Sequence, residues 1–166
     1  MDQITTNIFV GGPIQHALQG GGFDNKLRDL FVSVHDVLEE AGYGVFSAHR
    51  AEGFGVTTAE FTADEIAVRD HTWMERCHAF TAVIPLSDDG LPYRTDGTCI
   101  ELGWASGQKK PIILIATLPL APGYSQVIHG LRKITPVYVL DCDEVRKDPR
   151  ILIRTVDEAL ASQRAH

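Results

Sequence analysis

Cysteine is scarce in this 166-residue chain: Cys77, Cys99 and Cys142 stand far apart, and no two of them form a CxxC pair. That spacing gives neither a zinc ligand set nor a disulfide framework, and free thiols point to a reducing compartment. No run of Lys or Arg occurs and the formal charge is −7, so the electrostatic footprint of a nucleic-acid binder is missing. No apolar stretch reaches the ~18 residues that a membrane span needs. The segment MDQITTNIFVGG has no basic region followed by an apolar one, which argues against a secretory leader and makes the cytoplasm the expected location. The histidines are scattered, and none forms an H-x-x-x-H pair with a nearby carboxylate, so neither a metal nor a cofactor is expected. Familiar signatures are missing too. GGGFDN and GYGVFS fall short of G-x-G-x-x-G, GWASG carries its serine one place too late for G-x-S-x-G, and no P-loop occurs.

What is present suits an ordinary globular domain spanning 1–166: 44% of residues are apolar and 22% charged. Asn7 to Val10 reads as a strand ended by Gly11-Gly12-Pro13, followed by a loop over 14–23 with one helical turn, made flexible by Gly20-Gly21-Gly22. Asp24 then caps a helix whose Leu27, Leu30, Phe31, Val34, Val37 and Leu38 recur at helical spacing, and Gly42 stops it. Tyr43 to Ser47, Ala79 to Ile84, Pro111 to Ile115 and Pro136 to Leu140 read as further strands. Helices are expected over Thr58 to Cys77, Gly97 to Gly107, Ser125 to Leu131 and Asp148 to Ser162. Ala48 to Thr57 and Pro85 to Asp96 read as loops. Alternating strands and helices predict an α/β fold, a parallel sheet wound on both faces, with the flavodoxin-like order 2-1-3-4-5. In such a sheet ligands bind beyond the carboxyl ends of the strands, where the polar and Gly-rich loops of this chain are concentrated.

One acid is conspicuous at that edge. Glu101 stands about one turn into the Gly97 helix among Cys99, Ile100, Leu102 and Trp104. The helix dipole favours its anionic form. It can be a carboxylate that meets an electrophilic carbon, or a helix-start acid that balances the dipole. Asp70, in AVRDHTWMERC, is either a solvated helix residue or an acid turned toward the same edge. His49, Arg50 and Glu52, in SAHRAEGFG, follow the second strand and are either ordinary loop residues or ligand contacts.

Together these segments resemble the nucleoside 2-deoxyribosyltransferase-like family. The likeness runs in order through IFVGGPI, SAHRAEGFG, RDHTWMERCHAFTAVIPL and DGTCIELGWASGQKKPIILI. It includes G-G-P after the first strand, an Asp before the third, and G-T-x-x-E-[LI]-G-[WY]-A. The resemblance implies cleavage of the N-glycosidic bond of a nucleoside or nucleoside monophosphate; as charge and hydropathy already suggest, neither a nucleic-acid nor a membrane partner is expected. It also implies a homodimer whose subunits complete each other's sites. Glu101 takes the place of the family's nucleophile at the anomeric carbon, and Asp70 that of the aspartate holding the sugar or handling the leaving base. An oxocarbenium-like state over a carboxylate is the chemistry of retaining glycosidases, and protonation helps the base depart.

Thr95, six places before Glu101, separates subgroups. In the family, transferases acting on free nucleosides typically carry an acid there and monophosphate hydrolases typically carry serine; Thr95 is a hydroxyl residue, though not the expected serine. Thr95 with the Gly97 and Thr98 amides makes a helix-start anion site, to which Arg94 adds charge and from which Asp96 subtracts it if turned inward. The AHRxE and GWASG segments look most like the CMP and hydroxymethyl-CMP hydrolases. The expected activity is therefore hydrolysis of a pyrimidine nucleoside 5′-monophosphate. A deoxyribosyltransferase and a non-catalytic nucleotide-binding module are the alternatives. Gly11, Gly12 and Pro13 are expected beside the sugar. Gln15, His16, Phe23 and Phe54 are expected near the base, and Tyr93 near the ligand or the partner subunit.

Overall fold

A computed structural model of the chain describes residues 5–20 and 22–164. Gly21 of the glycine run and residues 1–4 of the N-terminal segment lie outside them. In chain order the elements are β1 (Asn7–Gly11), β2 (Leu18–Gln19), β3 (Gly22–Phe23), α1 (Asn25–Glu40), β4 (Gly44–Ser47), α2 (Ala48–Ala51), α3 (Ala63–Arg76) and β5 (Ala79–Ile84). They continue with α4 (Asp96–Gly107), β6 (Ile112–Ala116), α5 (Gln126–Gly130), β7 (Val137–Asp141), α6 (Cys142–Lys147) and α7 (Arg150–Arg164).

The main sheet runs β4-β1-β5-β6-β7, and every pairing in it is parallel. Its strands therefore stand in the order 2-1-3-4-5, the flavodoxin-like arrangement read from the sequence. Period-two alternation splits the core into two layers. Ile8, Val10, Ile113 and Ile115 face α1, α6 and α7, packing with Leu30, Val34, Val145 and Val156. Phe9, Phe80, Ile112 and Leu114 face the opposite layer, with Met74 of α3 and Leu102 and Ala105 of α4. β5 and β6 are buried along their whole length, as central strands covered on both faces must be. Among the described residues no helix is long and apolar enough to cross a membrane.

Several boundaries differ from those expected. Ala48–Ala51 is a helical turn rather than loop, and the chain leaves it through Gly53, Phe54 and Gly55, all at positive φ. The helix expected from Thr58 begins at Ala63. Thr62 accepts from the Glu65 amide while Glu65 reaches back to the Thr62 amide, a capping box that separates α3 from a single 3-10 turn at Thr58–Glu60. The loop after β1 holds a 3-10 turn at Gln15–Ala17 and the small antiparallel β2–β3 hairpin. Asp141 caps an additional helix, α6, directly after β7 through the Asp143 and Glu144 amides. Asp24 caps α1 through the Leu27 amide at 2.8 Å, as the sequence suggested.

Strand order reverses at β1, which lies between β4 and β5. The crevice beside it, at the carboxyl ends of the strands, is where the topology leaves room for a ligand.

Candidate active site

A cavity of about 270 Å³ opens at that switch point. The end of β1 and the segment after it supply Gly11, Gly12, Ile14, Gln15 and His16, and α2 with the residue that ends it supplies Ala48, His49 and Glu52. Ile66 and Asp70 come from α3, with Thr58 just before it, and the start of α4 brings Arg94 to Thr98 together with Glu101. Most residues singled out in the sequence thus meet in one place.

Glu101 occupies the inward face of α4, where Thr98, Leu102, Ala105 and Ser106 are also buried. The carboxyl replaces an apolar group on a face that the helical period turns toward the sheet. It is 7% exposed, and its Oε2 is buried without a hydrogen-bond partner. Burial pushes its carboxyl up to about 8, the charges of Asp70 and Glu52 add to that, and Arg69 opposes them. The sequence suggested that the helix dipole would favour the anion. Loss of water and two neighbouring acids outweigh a dipole worth only ~0.3–1 kcal/mol.

Asp70 is buried at the inner side of α3 rather than solvated. Loss of solvent raises its carboxyl, and the Glu52 charge raises it further, while Arg69 works the other way. Glu52 is almost fully buried. It accepts from Arg69 Nη2 at 2.6 Å and from Thr58 Oγ1 at 2.7 Å.

His49 is wholly buried and stacked on Phe31, with ring centroids 3.7 Å apart. Its Nε2 lies 3.1 Å from the Pro13 carbonyl, which can only accept, so Nε2 carries the hydrogen. Burial depresses the ring to about 3, the Pro13 bond opposing this and His35 adding to it, so the imidazole is neutral. Pro13 thus acts on the site through His49, not as part of the cavity wall.

Besides Pro13, four expected contacts lie outside the cavity: Arg50, Phe23, Phe54 and Tyr93, with Phe23 buried in the core. Arg50 turns outward to Glu39 and Asp36 of α1. Phe54 packs on Phe23 at 5.3 Å and lies under the Arg28 guanidinium at 4.7 Å. Tyr93 donates to Asp24 Oδ2 at 3.2 Å and lines a neighbouring cavity of about 230 Å³.

At the mouth, Arg94 pairs with Asp96 at 2.6 Å, so neither charge enters the cavity alone. Thr95 precedes the helix, and its side chain caps no backbone amide, bonding instead to Thr98 Oγ1 at 2.6 Å. The first amides of α4 are therefore left without a side-chain acceptor. Among the described residues no cluster of His, Cys, Asp and Glu is arranged to hold a metal ion.

Arg69, Thr58, Ile14 and Ile66 were not singled out in the sequence. Arg69 donates from Nε to Asp70 at 2.8 Å and from Nη2 to Glu52, and lies 4.8 Å from the Trp73 ring centre. The adjacent Arg-Asp pair was visible as text, but helical spacing does not place neighbouring residues together. Only a side chain folded back along its own helix does so. A buried pair of carboxyls, one protonated near neutral pH, beside an uncapped helix start can donate a proton, stabilise a cationic carbon and hold an anion.

Two solved structures share this architecture. One is the CMP N-glycosidase BcmB of Clostridium botulinum, 21% identical over 82% of this chain and 88% of that one, with a TM-score of 0.56. The other is the solution structure of BlsM, 23% identical over 92% of this chain and 91% of that one, with a TM-score of 0.66. The chain has their fold. No protein-family model matches it, and no curated protein matches it by sequence.

Proposed function

We propose that the protein hydrolyses the N-glycosidic bond of a pyrimidine nucleoside 5′-monophosphate, releasing free base and sugar phosphate. One observation carries this reading. The uncapped start of α4 and the Glu101 carboxyl open onto the same cavity about one turn, ~5 Å, apart along the helix. That spacing suits an anionic group and an anomeric carbon of one small ligand. The fold it shares with a CMP N-glycosidase adds support.

In this mechanism the phosphate rests on the Gly97 and Thr98 amides and the Thr95 hydroxyl. The sugar lies against Gly11 and Gly12, and Gln15 and His16 reach the base from the rim. The C1′–N bond breaks with its electron pair leaving on the base. The proton held by the Glu101–Asp70 pair passes to the base, and the Glu101 carboxylate so formed meets C1′. Water then adds its hydroxyl to C1′ and returns a proton to the pair. The acids of the cavity favour the positive charge that develops on the sugar ring.

The working assembly we propose is a cytoplasmic homodimer. Ile100, exposed on the outer face of α4, and Val127 at the start of α5 support an apolar contact there, and sedimentation would report it.

The decisive assay offers nucleosides and monophosphates in turn and follows released base by chromatography, with a labelled second base in excess. Free sugar phosphate without labelled nucleotide is expected. Labelled nucleoside formed from 2′-deoxy donors would replace hydrolysis with base exchange.

A further inference from the structure

The cavity gathers Glu52, Asp70 and Glu101, and the half-buried cation among them belongs to a residue that does not line it. Arg69 engages two of these acids with two different nitrogens, Nε to Asp70 at 2.8 Å and Nη2 to Glu52 at 2.6 Å. The side chains of all three partners are largely buried, at 17% exposure for Arg69, 12% for Asp70 and 4% for Glu52. The guanidinium lies 4.8 Å from the Trp73 ring centre and 5.6 Å from that of Phe61. Trp73 in turn packs on Phe9 and Phe46 of the sheet. A planar fork lying over ring faces and bonded to two carboxylates has little freedom, so it fixes where both carboxylates point.

We propose that Arg69 is a positioning residue of the reaction, bridging Glu52 and Asp70 so that Asp70 is held as the anion and Glu101 carries the proton that the two share in the ligand-free site. The inference rests on the hydrolase reading for its link to catalysis, but the placement of the proton can be observed without substrate.

The bridge decides the proton because the other charges nearby are engaged or neutral. On α3, His71 turns to Glu75 and the Trp104 ring. On α2, His49 is neutral and bonded to Pro13. At the start of α4, Arg94 and Asp96 pair with each other. His16 stands on the rim. Of the cationic groups among the described residues, Arg69 alone is seen to touch Asp70. It opposes the rise of both Asp70 and Glu101. Burial raises the Asp70 carboxyl, but the Arg69 hydrogen bond and charge favour its ionised form, a support that Glu101 lacks as a direct contact. With the bridge removed, Asp70 would compete with Glu101 for the same proton. The residue that must pass a proton and then meet C1′ would no longer be defined.

The test combines carboxyl-carbon NMR titration of the ligand-free protein with base-release kinetics, on unaltered protein, Arg69→Met and Arg69→Lys. Signals of Glu101 and Asp70 are assigned by Glu101→Gln and Asp70→Asn. In Arg69→Met the Asp70 midpoint should rise by about one pH unit or more, a roughly tenfold gain in proton affinity. In Arg69→Lys it should rise less, because the charge remains. Base release should fall at least about tenfold in kcat in both variants, since an ammonium group does not form the two-pronged bridge. If Met destabilises the fold, Lys carries the test. An Asp70 midpoint that stays put in both variants overturns the proposal, as does a shifted midpoint with unchanged kcat. Absence of base release in the unaltered protein would instead count against the hydrolase reading, and the titrations would still decide where Arg69 places the proton.

Discussion

The β-carbon that Gly11 lacks would stand against Oε2 of Glu101, in a space too small for both. The same β-carbon would lie 2.9 Å from the Phe80 ring. Glycine at this place lets the end of β1 lie flat beneath the carboxyl. Gly11→Ala is therefore expected to push Glu101 off its position and to cost about 1–3 kcal/mol through overpacking. Base release should fall with it. Gly103 is the matched control. It lies within α4 with nothing within 4 Å of a β-carbon built on it. Gly103→Ala should raise stability by roughly 0.5–1 kcal/mol, because helix interiors disfavour glycine. Thermal unfolding of the two variants, measured together, checks the contrast. Equal stability of both would show that the end of β1 has room to yield.

The sheet was legible because its strands carry their own punctuation. Pro111 and the apolar run after it, or Asn7–Val10 closed by two glycines, leave little choice of period or boundary. Glu101 was legible as an exception, a lone acid on an apolar segment. The start of α3 was less so. Continuous helical spacing across Thr58 to Cys77 hid the Thr62–Glu65 capping box, which the chain uses to break that segment in two. Arg50 and Phe54 were drawn to the site by sequence proximity to His49. Yet α2 turns Arg50 onto α1, and the left-handed turn at Gly53–Gly55 sends Phe54 into the side of the core. Arg69 was out of reach because its role depends on a side-chain path that helical spacing does not encode. The charge of Glu101 was misjudged for a similar reason. The local dipole is a sequence property, but the burial and the two other acids that outweigh it come from distant segments.

Stability should pass through a maximum near neutral pH, with Glu101 and two buried histidines setting the two sides. Burial lowers His35 to about 3, with Arg50 contributing, and lowers His49 to about 3. Their ordinary value is 6.5. Their contribution is complete above that value and is lost as pH falls toward 3, because the unfolded chain takes up protons that the folded one refuses. Glu101 has the opposite sign. Its folded value of about 8 exceeds the ordinary 4.5, so its contribution is complete below 4.5 and is lost as pH rises to 8. Between 4.5 and 6.5 two histidines outweigh one carboxyl, and stability should climb by roughly 1.4 kcal/mol per pH unit. Between 6.5 and 8 the carboxyl acts alone, and stability should decline at a similar rate of about 1.4 kcal/mol per unit. Denaturant unfolding across this range gives the curve. Glu101→Gln should abolish the alkaline decline and, in the proposed reaction, cut base release by orders of magnitude. A decline that persists unchanged in Glu101→Gln would place the titrating group elsewhere.

Thr95 offers the sharpest test of what the mouth of the cavity holds. Its hydroxyl bonds to Thr98 Oγ1 and satisfies no backbone amide, so the first turn of α4 does not depend on it for capping. Thr95→Ala should therefore change stability by less than the ~1 kcal/mol that loss of a capping side chain costs. If a 5′-phosphate rests on the Gly97 and Thr98 amides, the same substitution should raise KM for the monophosphate while leaving kcat for the free nucleoside nearly unchanged. Thr95→Asp is the stronger perturbation. Its carboxylate is well placed to accept from those amides itself, occupying the anion position and repelling phosphate. Preference, read as the ratio of kcat/KM for monophosphate to that for nucleoside, should then fall and can invert. The Arg94–Asp96 pair does not rescue phosphate binding, because each charge is already matched by the other at the surface. Equal kcat/KM for monophosphate and nucleoside in the unaltered protein would remove the phosphate from this pocket. Unaltered preference in Thr95→Asp would move it to another part of the cavity.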